Sequence, residues 1–82
     1  MNKAQIQRMK ERLKEARRLI KLAKESNDQD NLNEALRLVR LVKLQCDSAD
    51  FTRMDDSTFE NVQDLAVECT SILMRYGSNE GK

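Results

Sequence analysis

Apolar residues return every three or four positions through three long stretches of this chain, and neither proline nor an internal glycine breaks them. There is no Pro, and the only two Gly are Gly77 and Gly81. A helix brings positions i, i+3, i+4 and i+7 onto one face, whereas a half-buried strand needs strict alternation. The pattern therefore confines the chain to all-α folds. The abundance of Ala, Leu, Lys, Arg, Glu and Gln in the first half works in the same direction, because these residues lose least on entering a helix.

The first stretch sets Ile6, Met9, Leu13, Ala16, Ile20 and Ala23 in alternating steps of three and four. This is the seam of a helix packed in a bundle, and it predicts a helix over 3–25. Leu19 broadens the seam, while Leu22 lies off it. The most apolar stretch runs from Leu32 to Cys46 and predicts a helix over 30–47. Leu32, Ala35, Leu36, Val39, Val42 and Cys46 share one side, and Leu38 widens it. Leu41 and Leu44 do not belong to that side; at about 100° per residue they point away from it, among Glu34, Arg37 and Arg40. The third stretch repeats Phe59, Val62, Ala66, Cys69, Leu73 and Tyr76, widened by Leu65 and Ile72, and predicts a helix over 55–76.

The connections carry turn and cap chemistry. Ser26 to Asn31 is short and polar, rich in side chains that bond to nearby backbone. Asn31 with Glu34 suits a capping box, and Asp28 and Asp30 compete for the same cap. The stretch from Ser48 to Met54 has no sustained period and reads as the second loop. Phe51 and Met54 are large apolar groups within it, suited to fold back over the end of the bundle or to cover Leu41 or Leu44. Asp55 reads as the N-cap of the third helix, with Asp56 in the first turn and Met54 placed to staple onto Phe59; Ser57 with Glu60 is an alternative box. Gly77 suits the position just past the last helix.

Three amphipathic helices joined by short loops predict an antiparallel, up-down-up three-helix bundle, with the first and third helices parallel. Residues 1–77 form a single domain on this reading, and 78–82 a disordered tail. A domain of 82 residues buries only about 60 to 65% of the surface its unfolded chain exposes, which leaves a monomer marginal and makes dimerisation through helix two a natural remedy.

The formal charge of +1 conceals a division. Residues 1–24 carry nine Lys or Arg against Glu11 and Glu15, a net of +7, and residues 25–82 carry six basic against twelve acidic groups, a net of −6. Asp56, Glu60, Asp64 and Glu68 form an acidic ladder suited to pair with Lys10, Arg17, Lys21 or Lys24 across parallel helices.

Chemistry is constrained more by what is missing. Without histidine there is no histidine-based triad, general acid or zinc spacing, and no glycine-rich loop cradles a phosphate. The acid pair Asp55-Asp56 could in principle hold a divalent cation, but just before an apolar-periodic run it reads as a helix start. Cys46 and Cys69 sit at helical spacing on apolar faces, as core residues of a reducing compartment. The chain shows no leader-like apolar region and no long apolar run. These features point to a cytoplasmic protein with no enzymatic activity, cofactor, metal, membrane or small-molecule substrate. Residues 21–43 resemble a helix-turn-helix repeat unit in wording, but nothing recurs at a fixed period, so no family follows from them.

The expected function is protein–protein interaction, as a homodimeric adaptor or inhibitor. Leu41 and Leu44 would be its apolar contacts and Arg37 and Arg40 its rim, since apolar centres flanked by Arg are typical of interfaces. The alternative is a nucleic-acid-binding regulator that uses Lys10, Lys14 and Arg18 of the basic first helix. That helix has no aromatic residue to stack on a base.

Overall fold

A computed structural model describes residues 2–76, and the expected tail and the Gly77 cap lie outside them. The chain forms α1 (Lys3–Ser26), α2 (Gln29–Asp47) and α3 (Asp56–Tyr76), with a single 3-10 turn at Phe51–Arg53 between the last two. It is the three-helix bundle that the seams predict.

Each helix start is set by a local side chain. Asn2 and Gln5 form a reciprocal capping box at α1: the Gln5 N–H donates to Asn2 Oδ1 at 2.9 Å, and the Asn2 N–H to Gln5 Oε1 at 3.0 Å. The competition at α2 goes to Asp28, whose carboxylate accepts from the Asp30 and Asn31 N–H groups at 3.0 and 3.4 Å. Asp28 wins because Asn27 closes α1 in the left-handed region, at φ 56° and ψ 43°. That geometry brings the Asp28 N–H onto the Ala23 carbonyl at 3.0 Å, and the next residues are then free to start a new helix. Asn tolerates this conformation better than other residues with a Cβ. The turn is thus two residues, shorter than the polar segment alone suggests. Asp55 caps α3, accepting from the Thr58 N–H at 2.8 Å.

The second connection departs from expectation in its packing. Met54 is half-buried against the core, but Phe51 remains exposed and meets Phe59 edge-on, with centroids 5.5 Å apart and planes at 76°. Phe59 is therefore part of a ring pair at the end of the bundle, not a buried seam residue. The seam of α3 is carried by Val62, Leu65 and Cys69, all buried. Ala66, Leu73 and Tyr76 of the expected seam are half-buried.

The core joins Met9, Leu13 and Ala16 of α1, Val39, Val42 and Cys46 of α2, and Val62, Leu65 and Cys69 of α3. Among the described residues no polar or charged side chain is buried. α2 packs extensively against both neighbours, whereas α1 and α3 touch each other sparingly. The molecule measures 42 × 25 × 14 Å along its principal axes, and α2 is the helix packed against both others. Contacts from Arg17 to Glu68 and from Lys24 to Tyr76 follow one another in the same order on α1 and α3, as parallel helices require.

Candidate interaction surface

The seam of α2 turns Val39, Val42 and Cys46 inward, so residues about half a turn away are forced outward. Leu41 and Leu44 are accordingly 40% and 62% exposed. Neither Phe51 nor Met54 removes that exposure. Arg37, Arg40, Leu41 and Leu44 lie three, one and three positions apart, a single stripe about 10 Å long on the far side of the helix from the core. Arg37 and Arg40 are both exposed. The Arg37 guanidinium is fixed by Glu34 one turn back, with Nε 3.2 Å from each carboxylate oxygen. Hydrogen bonding between the pair raises the Arg37 pKa and lowers that of Glu34. The rim is therefore a held guanidinium with its plane already oriented.

The basic helix divides its cations between two directions. Lys10, Lys14 and Arg18, four residues apart, occupy one exposed strip of α1. Arg18 is tied to Glu15 of its own helix, Nε donating to Oε1 at 2.9 Å, and the bond lowers the Glu15 pKa. Arg17 faces α3 and forms an ion pair with Glu68. Of the acidic ladder, Glu68 is the rung that pairs with α1 among the described residues. Lys24 lies instead over the Tyr76 ring, 5.0 Å from its centroid.

Because α1 and α3 stand apart beyond these contacts, a groove of about 660 Å³ opens along their C-terminal halves. Ile20, Ile72 and Val67 give it an apolar lining, with Lys21, Lys24 and Arg75 toward one end. Tyr76 shares that end. Its phenol is drawn below the ordinary tyrosine value, chiefly by hydrogen bonding from Lys24 and also by Arg75, against a smaller opposing effect of burial. The three seams by themselves do not disclose this groove. One signal is present in the sequence: Arg17, Lys21 and Lys24 follow at steps of four and three, which places all three on the edge of α1 beside its seam.

The interior offers little chemistry. Cys46 and Cys69 are buried free thiols. Cys46 Sγ lies 3.7 Å from the Val62 carbonyl as a weak donor. Burial pushes both thiols up, Cys69 to about 12, so neither is a ready nucleophile. Among the described residues no three His, Cys, Asp or Glu side chains group to hold a metal ion, and no helix is long and apolar enough to cross a membrane. Asp55 is engaged as a cap, its carboxylate held below its usual range by hydrogen bonds from Thr58.

Comparisons with protein-family models, with curated proteins and with solved structures return no match. Function is therefore argued from the surfaces themselves.

Proposed function

We propose that this chain is a small cytoplasmic protein–protein interaction module, a homodimeric adaptor or inhibitor that acts by occupying a surface and performs no catalysis. The observation that carries the reading is the pair Leu41 and Leu44, exposed side by side on the outward stripe of α2 and rimmed by Arg37 and Arg40. An apolar centre with an Arg edge is the composition of an interface core and its surround.

In a two-fold arrangement the α2 helices of two copies cross at this stripe, and the four leucines fill each other's grooves. Full burial of a leucine contributes about 1.5 to 3 kcal/mol, and these start only partly exposed. Association costs on the order of 4 kcal/mol or more in lost rigid-body freedom. The two contributions nearly cancel, which describes a weak and rapidly exchanging dimer, populated only at roughly millimolar chain or above.

Sedimentation equilibrium or light scattering over that concentration range reads the mass directly. The expected result is a mass rising toward that of two chains, returned to one chain by Leu41→Glu with Leu44→Glu at unchanged helicity. A parent that stays monomeric at the highest concentration removes the homodimer.

A further inference from the structure

α2 is antiparallel to α1 and α3 and packs against both, while α1 and α3 are parallel and meet sparingly. In an up-down-up-down four-helix bundle, neighbours along the perimeter pack closely and helices across the diagonal do not. The three helices approach this relation, with α2 between α1 and α3, which meet through the Arg17–Glu68 and Lys24–Tyr76 contacts and little else. The corner opposite α2 is the groove between α1 and α3.

We propose that this groove is the vacant fourth position of a four-helix bundle and that it takes an amphipathic helix of a partner protein whose first turns are acidic. The site goes beyond the α2 stripe and lies on the opposite side of the molecule from it.

Length, lining and charge agree on that occupant. From Asp64 to Tyr76 the α3 wall runs about 18 Å, enough for three helical turns. Ile20 and Ile72 line the groove, and Val67, 63% exposed, stands at its edge; an apolar stripe on the incoming helix would cover all three. Arg17 and Glu68 satisfy each other. What remains is a surplus of positive charge at the C-terminal end, from Lys21, Lys24 and Arg75, with Asp64 toward the other end. A helix that completes the bundle runs antiparallel to α1 and α3, so its N-terminus arrives beside those cations. Acidic residues are also the ones its own dipole favours in the first turn. A single basic residue farther along would meet Asp64. Nucleic acid fits less well, because the carboxylates of Asp64 and Glu68 on the α3 wall repel phosphates and the apolar lining would be left against a polar backbone.

The test uses the full chain carrying Leu41→Glu with Leu44→Glu, so that its outcome is independent of dimerisation. The probe is a fluorescein-labelled synthetic helix of about four turns, with a leucine stripe, glutamates in its first two turns and one lysine near its end. Fluorescence anisotropy should show saturable binding. Lys21→Glu with Arg75→Glu should weaken it at least about tenfold, whereas the charge-matched pair Lys10→Glu with Lys14→Glu, outside the groove, should change it less than about twofold. Val67→Asp, at an exposed position that circular dichroism can certify as folded, should weaken it independently. The proposal is overturned if the peptide fails to bind, if both charge-reversal pairs weaken it equally, or if a labelled single-stranded oligonucleotide binds more tightly than the peptide.

Discussion

The ammonium of Lys24 lies 5.0 Å from the centre of the Tyr76 ring, joining the last turn of α1 to the last turn of α3. These helices are neighbours through few other contacts, so this one helps to set how far the groove between them opens. Cation–π attraction of this kind is worth about 0.5 to 1 kcal/mol at exposed sites. Its effect is therefore on geometry more than on overall stability.

Tyr76 is the single tyrosine and the chain has no Trp, which makes the phenol directly visible in ultraviolet absorbance. Its folded pKa is lowered, chiefly by Lys24, so phenolate should form at a lower pH than in the unfolded chain. Lys24→Met should move the transition upward while leaving helicity intact. An ultraviolet titration of the phenolate band that is the same in both proteins would remove the contact.

The thiols should be silent in the folded state. Burial holds Cys69 up at about 12 and raises Cys46 as well, so the thiolate is scarce in mildly alkaline buffer and access is blocked. Labelling by a disulfide reagent under those conditions should proceed at the rate of opening, with both thiols reacting together. Fast reaction of either one in native conditions would contradict its burial.

Two leucines on α1 separate seam from surface. Leu13 is 2% exposed and Leu22 37%. Leu13→Ala should cost about 2 to 5 kcal/mol through lost burial and a residual cavity, while Leu22→Ala should stay within about 0.5 kcal/mol. Urea unfolding followed by circular dichroism compares them. Because a domain this small has little stability to spare, the Leu13 variant should unfold at a clearly lower urea concentration than the parent.

Asp55 ties stability to acid. Its folded carboxyl pKa is lowered, first by the Thr58 side chain, then by the Thr58 N–H, with Lys3 adding a smaller attraction. The charged cap thus contributes stability that is present above the unfolded carboxylate range and lost as pH falls through the folded value. Asp55→Asn keeps a capping side chain but has no charge to lose. The variant should be less stable than the parent at neutral pH and should converge with it in acid; a constant difference across that range would show that the charge is irrelevant.

The α2 stripe and the α1/α3 groove differ in how far the sequence reveals them. Leu41 and Leu44 are legible as off-seam residues because the direction of a side chain on a helix follows from its position alone. The groove is not, since nothing in the order of Lys21, Lys24, Arg75 and Tyr76 states that the two helices stand apart. Phe59 misleads for the same reason: its spacing fits the seam, but the ring of Phe51 from the preceding turn takes it instead.

By itself, the sequence determined three helices, the face each one buries and the up-down-up path, because a 3.6-residue period and short connections are local properties of the chain. Only the tertiary structure decided which of three competing residues caps α2, which rung of the acidic ladder meets α1, and how sparingly α1 and α3 meet. Those outcomes depend on the backbone leaving one helix at Asn27 and on side chains filling the space around α2, and such packing is a sum over residues far apart in the chain.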